Sequence, residues 1–493
     1  MRQAIHILEK DIRHLWIEIA VVLAATGLFS LIYTHPDFWL SKAQLPQTVA
    51  AFFVSFLLPV SWWVLIVRAV HGESLVGDRE FWPTRPYSWK SLLGAKLLFI
   101  LLFVNLPILA AQAAILQAHG FQPGAEWGSL LWNQVLLTLA LFLPVAAIGA
   151  LTTGIVQFLL IGLVAWAALL LLSLRFSLVA STMAGGTWGP LEWVRWSYTL
   201  MLAALAAPAI LIWQYAKRRT IAARVIAIAI VIVMGLGAPF SYTQAFAIQQ
   251  RFSRQPAAGA TIRTGWNNGF QWMTRALIRP GRGVDLNVPL QLTGLPDQLD
   301  AKPEGLTFSI EAPGGAVLRP ASQPSRNVTS TGQLIALRAT LPESFYRAVK
   351  EQPITIRGEI DLTLYGNRRE TKVPIRGGLR AVPGMGLCTA TGGPPATYFL
   401  SCNAALRPRA DKVAIAFEPH PRVIADYATR FPPSYSPFPA ELSINPLSSS
   451  DAYSTYQGPL DAVTVSSEEP VAFVRAPLLI EGLRLGAYEA VMK

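Results

Sequence analysis

The richest chemistry in this chain lies between His71 and Lys96, HGESLVGDREFWPTRPYSWKSLLGAK. Glu73, Asp78, Arg79, Glu80, Arg85 and Lys90 stand among the aromatics Phe81, Trp82, Tyr87 and Trp89, with Gly77, Pro83 and Pro86 to bend the backbone. Buried aromatics with arginine are what protein interfaces favour, so the composition is that of a docking surface. The competing reading is an aromatic belt at headgroup depth with no protein partner. Ser88 is positioned to cap a helix that runs on past Lys96. A second chemical feature is the pair Cys388 and Cys402, the only cysteines, which bracket a turn at Gly392–Pro395. In an oxidising compartment such a hairpin is closed by a disulfide; two buried free thiols are the alternative.

Other chemistry is missing from the sequence. There is no G-x-x-x-x-G-K-[ST] loop to cradle phosphates, no G-x-S-x-G, no H-E-x-x-H and no metal-spaced Cys/His set. The expectation is a chain without catalytic residues, bound metal or a cofactor of its own. His420, between Pro419 and Pro421, reads as a rigid surface turn. Inside the apolar stretches the notable polar residues are Asn105, Gln112, Asn133 and Gln157, accompanied by Pro59, Pro107, Pro144 and Pro208. Intramembrane carboxylates, the usual parts of an ion relay, are lacking there, which counts against an ion-coupled transporter. The amides read as interhelical hydrogen bonds and the prolines as kinks.

Two solvents position these residues. Of 493 residues, 52% are hydrophobic and 14% charged, against about a quarter charged in soluble domains. Only nine of the 29 acids precede Ser241, so lipid surrounds the first half and water the second. The net charge of +12 is spread without a basic stripe, which argues against a nucleic-acid partner. Apolar stretches of about 20 residues span the bilayer, and seven are readable, near 16–34, 48–70, 92–116, 129–150, 153–174, 196–215 and 221–240. The fourth and fifth are separated only by a Gly149–Gly154 turn, leaving six or seven spans. With the N-terminus inside, Arg2, Lys10, Arg13, Arg68, Arg79, Arg85, Lys90, Lys96, Lys217, Arg218, Arg219 and Arg224 fall on the inner side. Lys42, Arg175 and Arg195 fall outside, a strong positive-inside bias. Residues 1–15 carry Ile5, Ile7, Leu8, Ile12 and Leu15 at helical spacing, with Lys10, Asp11 and Arg13 elsewhere. They form either an interfacial amphipathic helix or an extension of the first span.

Beyond a polar linker at 241–282 the hydrophobic period becomes two, as in Val284, Leu286, Val288 and Leu290, or Ile360, Leu362 and Leu364. The expected architecture is an α-helical polytopic membrane domain (1–240) followed by mainly β, immunoglobulin-like sandwich modules at 283–380 and 381–493. One short helix is expected at Pro342–Val349.

The 71–96 segment resembles the loop between the second and third spans of permeases in the type-2 ABC exporter superfamily. The matching residues are Glu73, Gly77, Arg85, Pro86, Ser88, Ala95 and Lys96, and the likeness extends over residues 1–215. It implies a membrane subunit whose loop, through Glu73, Gly77, Asp78, Arg79, Glu80, Trp82, Arg85, Pro86, Tyr87 and Lys90, faces a separate ABC ATPase subunit that binds the ATP. It also implies a homodimer or heterodimer of permeases in the cell inner membrane. A seventh span and a large outer domain depart from the minimal six-span pattern of that family. The alternative is an outer β-domain that binds or scaffolds, with the helices as its anchor.

Overall fold

The computed structural model describes residues 2–34, 45–73, 88–118, 124, 127–164, 190–236, 240–279, 283–319, 328–331, 334–375, 378, 380–383, 386–391, 399–404, 412–418, 423–428, 440–444 and 462–491. Residues 2–14 form a helix of their own, α1 (Arg2–His14), interrupted at Leu15 before α2 (Trp16–Thr34). There follow α3 (Leu45–His71), α4 (Trp89–Ala118), α5 (Trp127–Leu137 continuing through Leu143–Leu151), α6 (Ile155–Val164), α7 (Pro190–Lys217) and α8 (Thr220–Leu236).

Four of these helices are long and apolar enough to cross a membrane: Trp16–Thr34, Trp89–Ala118, Leu130–Leu151 and Ser197–Lys217. The other expected crossings coincide with shorter apolar helices at Phe56–His71, Ile155–Val164 and Thr220–Met234, and the expected span 153–174 runs partly beyond the described residues. Each helix turns one face inward: Phe29, Trp62, Leu65, Phe99, Ile108 and Phe142 share one buried core. Val21, Leu31, Leu131, Val156, Leu205 and Val225 are exposed, an apolar exterior that only lipid solvates well.

Two prolines leave a visible mark. Pro107 and Pro144 lack an N–H and would press on the preceding turn. Ahead of each the helix widens into a π turn, Leu101–Asn105 in α4 and Thr138–Phe142 in α5. There the amides of Leu106 and Leu143 reach back five residues to Leu101 and Thr138. The expected kinks are thus π turns at these two positions.

The segment 241–282, expected to be a linker, is structured. Ser241 caps α9 (Tyr242–Gln250), accepting from the Gln244 amide, while the Gln244 side chain accepts from the Ser241 amide. This S-x-x-Q capping box was readable in the sequence. Strands β1 (Arg263–Trp266) and β2 (Arg275–Arg279) follow, each too short for an alternating pattern to register. Next come β3 (Gly283–Thr293), β4 (Asp300–Glu311), β5 (Val317–Leu318), β6 (Val328–Thr331), β7 (Leu334–Leu341), α10 (Glu343–Val349, close to its expected place), and β8 (Ile354–Pro374). The remaining strands are β9 (Arg380–Val382), β10 (Gly386–Thr391), β11 (Phe399–Ala404), β12 (Lys412–Glu418), β13 (Val423–Ala428), β14 (Ala440–Ile444), β15 (Ala462–Leu483) and β16 (Glu489–Val491).

The immunoglobulin-like sandwich is not what these strands build. Twelve of them form one mixed sheet, ordered β16-β2-β3-β1-β15-β8-β4-β5 with β6, β7, β12 and β13 attached, and β14-β11-β10-β9 form a second of four. The result is neither a closed barrel nor a clear sandwich. Strand β15, near the end of the chain, lies between β1 and β8; it is parallel to β1 and antiparallel to β8 along almost its whole length. The expected break near 381 therefore does not divide the sheet. Period-two patterning reports that a strand has a buried face but says nothing about its neighbours.

The sheet also buries polar residues that alternation assigns to solvent. From Ile360 to Gly366 both faces of β8 are covered, because α9 lies on the face carrying Asp361 and Thr363. Gly305 on β4, paired with Asp361, leaves room for this: a Cβ there would lie 2.2 Å from the Tyr242 hydroxyl oxygen. Gly305→Ala is expected to lower stability by about 1–3 kcal/mol through overpacking against Tyr242. Thermal denaturation of the purified protein measures it; an unchanged midpoint would mean α9 is not seated there.

Candidate functional site

The expected docking segment runs from His71 to Lys96, and two of its residues, Glu73 and Lys96, are buried in one ionic cluster. Lys96 Nζ lies 2.7 Å from Asp11 Oδ2 and 3.4 Å from Glu73 Oε2, and Lys10 Nζ lies 3.1 Å from Glu73 Oε1. The side chains of Lys96, Asp11 and Glu73 are 3%, 5% and 7% exposed, whereas Lys10 is about half exposed. The geometry follows from three helices. The Ile7–Leu8–Asp11 face of α1 packs on the first half of α4. The end of α3 delivers Glu73, and Ser88 starts α4 by accepting from the Ser91 amide. Tyr215 of α7, fully buried, lies near this cluster.

Charge balance explains the arrangement. A buried ammonium is tolerated only when paired, and two carboxylates here meet one buried and one half-exposed lysine. Burial raises the Asp11 carboxyl above its ordinary value against the pull of Lys96. Burial also acts upward on Glu73, but Lys96 and Lys10 together outweigh it and hold that carboxyl low. Glu73 is therefore the firm anion of the cluster. Nothing in it pairs a nucleophile with a base. Its capacity is mechanical: it locks α1, the end of α3 and α4 into one unit.

A second set of contacts gathers helix ends beside the first. His71 Nε2 lies 2.9 Å from the Gly149 carbonyl and 3.0 Å from Thr152 Oγ1, while Arg224 Nη2 donates to the Leu151 carbonyl at 2.9 Å. Arg68 pairs with Glu18 at 3.1 Å. Residues assigned to the inner side by charge, Lys10, Arg68, Lys96 and Arg224, thus belong to contacts among neighbouring helix ends. The Gly149–Gly154 turn falls where it was expected.

The amides expected inside the bundle divide. Asn105 Oδ1 accepts from Thr138 Oγ1 at 3.0 Å, and Gln112 Oε1 accepts from Gln134 Nε2 at 2.9 Å, two rungs between α4 and α5. Asn105 closes one π turn and Thr138 opens the other, so the first rung ties the two together. Gln157 instead caps its own helix, accepting from the Thr153 amide and hydroxyl. Asn133 Nδ2 is buried with no hydrogen-bond partner among the described residues. Lys90 is exposed, its ammonium 5.7 Å from the Trp89 ring centroid. Gly77, Asp78, Arg79, Glu80, Trp82, Arg85, Pro86 and Tyr87 lie outside the described residues.

Cys388 and Cys402 are joined in a disulfide and stand directly opposite in the β10–β11 pair. This is a bond of oxidising compartments. A further buried polar centre joins α9 to the sheet. Arg475 Nε donates to Asp361 Oδ1 at 2.8 Å with its guanidinium 5.5 Å from the Phe246 ring, and Thr363 donates to Glu304 at 3.1 Å. Burial pushes the Asp361 carboxyl up to about 6 despite Arg475, while Asp361 in turn holds Arg475 charged. Among the described residues no three metal-ligating side chains converge.

Sequence reasoning missed Asp11, which it assigned to a polar face, along with Gln134, Thr138 and the Tyr242–Asp361–Arg475 centre. Only the helical spacing of Asp11 from Ile7 and Leu8 hinted at its burial. In comparisons with known proteins, no family model and no curated protein matches the chain.

Two outcomes are expected. Lys96→Met strands the buried Asp11 carboxylate, leaves Glu73 to Lys10 alone, and should destabilise the helical bundle by about 3–5 kcal/mol. The triple change Asp11→Asn, Glu73→Gln, Lys96→Met should recover much of that loss. Amide exchange across residues 2–14 reads both, and equal protection in all three proteins would refute the pairing. The second concerns Asp361. Its folded pKa lies above the unfolded value of 3.8, so between the two the folded state holds more protons. The stability it contributes is present below the unfolded value and lost as pH rises through about 6. The melting temperature of Asp361→Asn relative to wild type should therefore climb between about pH 4.5 and pH 7.

Proposed function

We propose that the chain is the permease-like membrane subunit of an ABC-type exporter, working with a separately encoded ATPase to move a substrate across the membrane. The observation that carries this reading is the cluster formed by Lys96, Asp11 and Glu73. It ties both flanks of the resembling loop to an amphipathic helix and to the third apolar helix. A coupling loop must be held in this way, because a push delivered by a partner reaches the helices only through a stiff attachment. The two π turns joined by Asn105 and Thr138 give α4 and α5 a place to yield under such a push.

In this reading the three shorter apolar helices also cross, making seven spans. The N-terminus is cytoplasmic, and the disulfide-bearing β-domain is outside the cytoplasm at the cell inner membrane. Two permeases and two ATPases assemble, with ATP bound by the partners. The competing reading, a membrane-anchored binding or scaffold protein, draws support from the α9 contacts that fix the sheet to the helices.

Co-purification decides between them. Wild-type protein and the variant Glu80→Ala, Trp82→Ala, Arg85→Ala are extracted in detergent and compared at equal melting temperature. An ATPase subunit retained by the wild type and lost from the variant supports the exporter. Its absence from both, with membrane topology intact, refutes the exporter and leaves the scaffold reading.

A further inference from the structure

A surface cavity of about 420 Å³ opens in the β-domain, away from the ionic cluster. Four stretches of chain meet there. The amides of Arg254 and Gln255 both donate to the Val471 carbonyl, at 2.9 and 3.0 Å, which holds Gln255 at the rim. The Leu299 amide donates to the Pro296 carbonyl at 2.9 Å, fixing a turn that presents Asp297 and Gln298. On β8, Gly366 admits Leu299 and Val471: a Cβ there would lie 2.9 Å from Leu299 and 3.3 Å from Val471. The next residue, Asn367, has a φ of 55°, left-handed backbone that non-glycine residues seldom adopt. Opposite it β15 shifts register twice, between Ser467 and Glu469 and between Pro470 and Ala472. Register shifts of this kind gather next to binding and active sites.

The lining is mixed in chemistry. Gln255, Gln298 and Asn367 each offer a donor and an acceptor, Asp297 accepts only and Arg368 donates only. Leu299 and Val471 supply an apolar floor. Carboxylates outnumber the single arginine, which disfavours phosphates and other anions. The volume is at the small end of the range for ligand sites, about 300–1,000 Å³. Interleaved donors and acceptors over a small apolar floor suit a ligand whose every hydroxyl both donates and accepts while its C–H face stays apolar. We propose that this cleft binds a short glycan, one or two rings of neutral or amino sugar. The inference is independent of the transport reading, since it concerns the β-domain alone.

The test is calorimetric titration of the full-length detergent-purified protein with chitobiose, N,N′-diacetylchitobiose and maltose. Spermidine and calcium chloride serve as pure-charge probes. Saturable binding of at least one of the three sugars is expected, weakened at least tenfold by Asp297→Asn with Gln298→Ala and, separately, by Gln255→Ala. These residues are exposed, so the variants should melt with the wild type. The proposal is overturned if none of the three sugars binds, if binding survives both variants, or if only spermidine or calcium binds.

Discussion

The helical half of this protein depends on one ammonium group kept from water. Lys96 lies in the first turns of a helix long enough to cross the bilayer, and its side chain is almost wholly buried. A charge in that position must be neutralised locally, and the fold achieves this by bringing Asp11 from the amphipathic helix and Glu73 from the end of α3. That requirement fixes the seat of α1, the exit direction of α3 and the entry of α4 together. Lys10 balances the second carboxylate from the water side. The apolar packing of Ile7, Leu8 and Leu15 would hold α1 in many rotations; the ion pairs select one.

The same constraint governs the β-domain. Asp361 and Thr363 occupy the face of β8 that alternation leaves to solvent, yet α9 covers them. Arg475, directly across on β15, pairs with Asp361, and Glu304 accepts from Thr363. Gly305 provides the depth for Tyr242. Because α9 contacts both α7 and β15, this centre connects the lipid-facing and water-facing halves. A movement of α7 would reach the sheet through α9, while the disulfide of the smaller sheet lies on different strands.

The long central strands give the sheet its frame. β8 and β15 pair from Ala462–Pro374 to Leu483–Ile354, and their register shifts fall near the polar cleft and near the strand ends. The irregularities thus leave most of the frame regular while shaping one region of surface.

What the sequence determined by itself is what depends on local composition and period. The lipid-to-water switch near Ser241, the apolar helices, the α1 segment, the short helix before β8 and the strand runs of β3, β4 and β8 all follow from hydrophobic spacing. The cysteine hairpin followed from compartment logic, whereas the Ser241 cap, though its motif spans only four residues, lay in a segment expected to be a linker. Tertiary structure alone decided partners. The spacing of Asp11 from Ile7 and Leu8 places it on their face, but the partner that lets it be buried there, Lys96, stands 85 positions away. Asn105 and Gln112 were recognisable as polar contacts, but Thr138 and Gln134 were not, since a π turn shifts the phase that a 3.6-residue period assumes. Strand order escaped for a similar reason. Alternation encodes which face is buried, whereas β15 takes its place between β1 and β8 only through contacts across most of the domain.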